Sequence, residues 1–187
     1  MSDLLKQALP YGSEEQRSSF SNLFSEVKNL KKGELLFAQE EINQNLYFLS
    51  HGHVRYFVLT SDGKEVTKYF AKAPCFVGST LSMARSIGAP FAIEALSDLD
   101  YSKAHYPTIL EKADRLQIYS LLLYLMEELF INKEKRELDF LTKDASERYQ
   151  DFVKSYPDLL NLIPLYQIAS YIGVSAVQLS RIRAKSS

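Results

Sequence analysis

The stretch IPLYQIASYIGVSAVQLSRIR, residues 163–183, decides how this chain is organised. Ala169 is small, as the crossing point of two closely packed helices requires, and Gly173 stands where the first helix must end in a left-handed conformation. Ser175 has the side chain of an N-cap for a second helix. The pattern is completed by Pro164 at the start of the first helix and by the apolar Val174, Leu179 and Ile182. This spacing predicts a helix-turn-helix.

The outer face of the second helix is polar and cationic. The chain has a formal net charge of -1, but residues 159–187 contain no Asp or Glu. Such a helix can place side chains on base edges and phosphates in a major groove. This favours DNA binding over the alternative, a structural corner between two helices. The predicted DNA contacts are Ser175, Ala176, Val177, Gln178, Ser180, Arg181, Arg183 and Lys185.

Composition and length fit a folded soluble protein of one or two domains. Of the 187 residues, 46% are hydrophobic and 24% charged. The single cysteine, Cys75, excludes an intramolecular disulfide and any multi-cysteine metal site. The uncharged run 116–126 is shorter than the roughly 20 residues that a membrane span needs, and the N-terminus lacks a basic region before an apolar run. We expect a cytoplasmic protein without a membrane partner.

Residues 31 to about 103 have the pattern of short strands separated by turns. The predicted strands are rich in aromatic and β-branched residues and include 35–37, 46–49, 54–59 and 66–70. Asp62-Gly63 between two apolar runs predicts a hairpin, because a tight turn there needs positive φ. The regular spacing predicts a β sandwich or barrel.

From Pro107 onward the periodicity is helical, and two apolar stripes lie side by side. One stripe would pack on the β roll and the other on a second copy of the helix. The alternative is a helix buried wholly within one subunit. The residues predicted at the dimer interface are Ile118, Tyr119, Leu122, Met126 and Leu129. The polar run 132–137 is expected to end or hinge this helix, and Asp144 with Glu147 has the spacing of a capping box.

The whole chain resembles the bacterial Crp/Fnr transcription regulators. The similar segments are Lys32-Gly33-Glu34, 46–54, 62–66, Phe76-Val77-Gly78, Ile93-Glu94-Ala95-Leu96 and 168–183. The resemblance implies an α+β protein with an antiparallel, jelly-roll β roll of the cyclic-nucleotide-binding type over 1–106, a dimerisation helix and hinge over 107–137 and a helix-turn-helix domain over 138–187. It also implies a homodimer that binds an inverted repeat in double-stranded DNA.

Two departures concern the effector pocket and the recognition helix. Family members that bind cyclic AMP carry Gly-Glu in the phosphate-binding turn and Arg-Ser or Arg-Thr later, whereas this chain has Gly78-Ser79 and 89–91 reads Ala-Pro-Phe. A buried phosphate without a cation would be costly, so we expect no cyclic nucleotide there. The candidate pocket residues are Gly78, Ser79, Arg85, Pro90 and Phe91, with Arg85 out of register. The resemblance also implies a base-reading Arg and Glu on the recognition helix, where this chain has Ala176 and Val177, and we expect it to lack the β-hairpin wing of many family members.

Two other functions remain as alternatives. The first is a ligand-sensing or scaffolding dimer whose helix-turn-helix no longer binds DNA. The second is a cupin-like metalloenzyme, suggested only by His51, His53, Glu65 and His105. We favour a regulator that is not an enzyme, with no catalytic residue, no metal and no cofactor, and with an unidentified small-molecule effector or none.

Overall fold

The structure, a computed structural model, describes residues 2–186. Two helices, α1 (Ser2–Ala8) and α2 (Glu14–Ser21), precede the β roll. The strands are β1 (Lys28–Leu30), β2 (Leu35–Phe37), β3 (Asn45–His51), β4 (His53–Leu59), β5 (Glu65–Lys72), β6 (Cys75–Val77), β7 (Ala92–Ala95) and β8 (Leu99–His105), with α3 (Thr80–Arg85) after β6. The later helices are α4 (Tyr106–Ala113), α5 (Tyr119–Thr142), α6 (Ala145–Ser155), a 3-10 helix (Pro157–Asn161), α7 (Leu165–Ile172) and α8 (Ala176–Ser186).

The roll consists of two four-stranded antiparallel sheets, ordered β1-β8-β3-β6 and β2-β7-β4-β5. Apolar side chains such as Phe37, Leu49 and Ile93 fill the space between them. The predicted hairpin joins β4 to β5, and Gly63 has the positive φ of 78° that its position requires. Asp62 does not share that conformation, so the connection is a longer loop in which the Thr60 amide donates to the Lys64 carbonyl. The predicted α+β fold is confirmed.

Helix α5 corrects one expectation. The polar run 132–137 does not end or hinge the helix, which continues without a break to Thr142, beyond the predicted boundary at residue 137. Glu, Lys and Arg are good helix formers, so a charged run extends a helix as readily as it precedes a loop. Lys143 follows the helix as its C-cap and has an extended backbone. Its side chain forms ion pairs with Asp139 and Asp151. The predicted capping box is present at the start of α6.

The C-terminal helices pack on the edge strand β5 of the roll. The Thr67 amide donates to the Ser170 hydroxyl over 2.9 Å, and the Tyr156 hydroxyl donates to the Phe70 carbonyl over 3.0 Å. The buried Phe70 ring lies 5.1 Å from the ring of Tyr171 on α7. An unpaired strand edge leaves backbone groups without partners, and α7 supplies one here. The helix-turn-helix is therefore anchored to β5, the strand that also forms one wall of a cleft between the roll and α5.

Candidate DNA interface and effector cleft

The turn between α7 and α8 has the geometry that the sequence predicts. Gly173 adopts φ 78° and ψ 37°, and its amide donates to the carbonyls of Ala169 and Ser170. A Cβ atom at this position would lie 2.7 Å from Cε1 of Phe140. Glycine is therefore required both for its left-handed backbone and for the space beside the end of α5.

A reciprocal cap opens α8. The Gln178 amide donates to the Ser175 hydroxyl over 3.2 Å, while the Ser175 amide donates to Oε1 of Gln178 over 2.8 Å. Leu179 is completely buried and holds the helix against α7. The side-chain oxygen of Gln178 is thus engaged in the cap, which leaves its NH2 group as the hydrogen-bonding group available to a base.

The predicted DNA contacts share one property, which is exposure to solvent. The exposed residues are Ser175, Ala176, Val177, Gln178, Ser180, Arg181, Arg183 and Lys185. Cations stand at the C-terminal end of α8, and no acidic residue occurs between 159 and 186 in the described part of the chain. The helix therefore presents a surface that carries only positive charge.

A large cleft of about 990 Å³ lies between the roll and α5. Four of the five predicted pocket residues line it, namely Gly78, Ser79, Pro90 and Phe91. Arg85 does not, because it is exposed in the last turn of α3. Ser79 is buried at the start of α3, where its hydroxyl accepts a hydrogen bond from the Ser82 amide over 3.3 Å. The turn holds no charged side chain in the place where the resemblance puts a glutamate.

Comparisons with known proteins agree with this arrangement. Residues 27–103 match the family model described as the cyclic nucleotide-binding domain. The nitrogen fixation regulation protein FixK of Bradyrhizobium diazoefficiens is 25% identical over 172 residues, covering 84% of this chain and 70% of FixK. The chain is therefore similar to the Crp/Fnr regulators.

Two solved structures share the fold of this chain. FixK2 from Bradyrhizobium japonicum superposes with a TM-score of 0.73 at 18% identity, over 87% of this chain and 83% of that one. The c-di-GMP responsive global regulator CLP from Xanthomonas campestris superposes with a TM-score of 0.68 at 14% identity, over 92% of this chain and 91% of that one.

Among helices within residues 2–186, none is both long and apolar enough to cross a bilayer.

The predicted dimer residues do not share one exposed face. Ile118 is completely buried in the core beneath α5, and Leu122 is only 9% exposed. Leu122, Met126 and Leu129 line the cleft, while Tyr119 is exposed. The exposed apolar stripe of α5 consists instead of Tyr119, Leu123, Phe130 and Leu141. Their separations of 4, 7 and 11 residues are close to whole turns of a helix.

Two arginines that the sequence reasoning missed hold the end of α7. Arg136 donates to the Tyr171 carbonyl and Arg148 donates to the Ile172 carbonyl, each over 2.9 Å. Both guanidinium groups lie on the Phe140 ring, at 4.8 and 4.7 Å. Cations near the last carbonyls of a helix stabilise its C-terminus. No local sequence signal links Arg136 to Tyr171, because only the fold brings them together.

The histidines considered for a metal site are not grouped. Glu65 is engaged by buried Arg55 over 2.6 Å, and His105 lies 3.1 Å from the Thr108 hydroxyl. Within residues 2–186, no three His, Cys, Asp or Glu side chains lie close enough together to hold a metal ion.

Cys75 lines the cleft, and burial raises the pKa of its thiol to about 12, which keeps it protonated near neutral pH.

Proposed function

We propose that this Crp/Fnr-like regulator is a homodimeric transcription regulator that reads an inverted repeat in double-stranded DNA through α8. The observation that carries the proposal is the capped α7–α8 turn, whose second helix is anchored by Leu179 and exposes a polar, cationic face. A helix of this kind fits the major groove with its first turns towards the bases. Arg181 is the candidate for a base contact, and Ala176 and Val177 are suited to thymine methyl groups.

The exposed stripe of α5 supports a dimer. Phe130 is 70% exposed and Leu141 is 75% exposed in a single subunit, and both lie in line with Tyr119 and Leu123. Glu134 and Glu137 lie between Phe130 and Leu141 on this face, so the apolar part is densest from Tyr119 to Phe130. Exposed apolar side chains grouped in this way on a surface helix are typical of a protein interface. Pairing of two α5 helices across a two-fold axis would cover them and would place two α8 helices on the same side of the dimer.

Selection of DNA from a random pool tests the proposal. The two α8 helices of a dimer would enter successive major grooves about 34 Å apart, so the enriched sequences should contain an inverted repeat with that spacing. The matched control is Leu179→Asp, which buries a charge beneath α8 and should abolish enrichment. Enrichment of no common sequence by the wild-type dimer would contradict the proposal and would favour a scaffolding role.

Cyclic AMP and cyclic GMP are expected to show no saturable binding in calorimetry up to about millimolar ligand, a limit of about -4 kcal/mol. The Ser79 hydroxyl accepts a hydrogen bond from the Ser82 amide, Ala89 is buried at the later position, and Arg85 is not among the residues that line the cleft. The sites for a ribose and a phosphate therefore lack their charged partners. Micromolar affinity for either nucleotide would contradict this expectation.

A further inference from the structure

Four cations line the cleft; one of them, Lys72, is paired with Asp158, and the other three come from distant parts of the chain. Lys68 comes from β5, and Lys133 and Arg136 come from α5. Lys133 and Arg136 are three residues apart, so they lie on neighbouring positions of one helix face. The cleft thus gathers positive charge from α5 and from β5, the strand that also contacts the helix-turn-helix.

No carboxylate neutralises this group in the described part of the chain. None of the three cations belongs to an ion pair within residues 2–186. Nζ of Lys68 lies instead over two rings, 4.9 Å from the centre of Phe91 and 5.8 Å from that of Tyr56. Loss of solvation, followed by the charges of Lys133 and Arg136, lowers the pKa of Lys68. An anion placed among these groups would relieve their repulsion.

The remainder of the cleft wall is mostly apolar. The α5 side contributes Leu122, Leu125, Met126 and Leu129, and the roll contributes Phe76, Val77 and Phe91. Glu128 and Glu137 are exposed on α5 and also border the cleft. Pockets of this composition bind the body of a ligand through apolar contact and orient it through a few polar groups. The cationic part of the wall therefore suits an anionic group, and the apolar part suits the hydrocarbon body of the same ligand.

We propose that the cleft binds a small amphipathic anion, with a single carboxylate or sulfonate head and an apolar body. Lys68, Lys133 and Arg136 hold the head, and the apolar wall of α5 covers the body. The proposal goes beyond the proposed function, which assigns no ligand to this cleft. It differs from a cyclic nucleotide site because the cations come from β5 and α5 rather than from the turn at Gly78 and Ser79.

A fluorescent probe of the same chemistry tests the proposal. The sulfonate 8-anilinonaphthalene-1-sulfonate should bind saturably at one site per subunit, and octanoate should displace it at concentrations where octanol does not. Lys68→Gln should weaken sulfonate binding by about tenfold or more, as expected for the loss of a hydrogen bond to a charged group. The neutral analogue N-phenyl-1-naphthylamine should bind the wild type and Lys68→Gln alike, which separates loss of charge from damage to the cleft.

Lys28→Gln is the matched control, because it removes one exposed positive charge from β1, outside the cleft lining. Its sulfonate affinity should equal that of the wild type. Absence of saturable sulfonate binding, equal affinity in Lys68→Gln and wild type, or equal displacement by octanol and octanoate would each overturn the proposal. DNA selection is measured separately, so enrichment of an inverted repeat without anion binding would contradict the ligand class alone. Anion binding without enrichment would contradict DNA reading alone.

Discussion

The double substitution Leu123→Asp/Phe130→Asp is expected to convert the dimer into monomers. Both side chains are largely exposed in the subunit, at 59% and 70%, so the changes should leave its fold intact. In the proposed dimer they would place unpaired carboxylates in an apolar interface, which is strongly unfavourable. Light scattering at micromolar concentration should give twice the 21.4 kDa subunit mass for the wild type and 21.4 kDa for the variant.

Ile42→Asp provides the control for this experiment, because Ile42 is 62% exposed but lies before β3, outside the α5 stripe. It should remain dimeric. The monomeric variant should also bind the inverted repeat about 100-fold more weakly or worse, since two linked half-site contacts reinforce each other. A double variant that keeps the dimer mass would show that the α5 stripe is not the interface.

The proposed dimer interface could be predicted from the sequence only in part. Periodicity identified two apolar stripes on the helix, but it could not say which one the subunit covers. The break between α4 and α5 places Ile118 at the N-cap of α5, where it is buried in the core. Leu122 lies on the cleft side of the same helix. The exposed face is consequently rotated from the predicted one, towards Leu123 and Phe130.

The helix-turn-helix was predictable because its determinants are local. Gly173 and Ser175 act through contacts with residues only a few positions away, so their spacing alone specifies the turn and the cap. The cleft cations were not predictable in this way. Lys68 approaches Lys133 and Arg136 only because α5 packs across the roll, and the sequence separation of these residues hides that proximity.

Arg181→Ala is expected to weaken DNA binding and to reduce its sequence preference. Arg181 is exposed on α8 beyond its cap, and residues 159–186 of the described chain contain no acidic residue. In the proposed complex this side chain contacts a base edge. Loss of a good base contact costs about 1–3 kcal/mol and relaxes the preference at one position in each half-site. Lys185→Ala, a matched loss of charge farther along the helix, should instead weaken all sequences alike and reduce the salt dependence.

The most direct test is a titration of the selected DNA pool with wild type, Arg181→Ala and Lys185→Ala at two salt concentrations. The account predicts that Arg181→Ala loses affinity for the selected sequence and loses discrimination at one symmetric position. It predicts that Lys185→Ala keeps the sequence preference with a smaller salt slope. Equal affinity and equal sequence preference for Arg181→Ala and wild type would contradict the claim that α8 reads DNA.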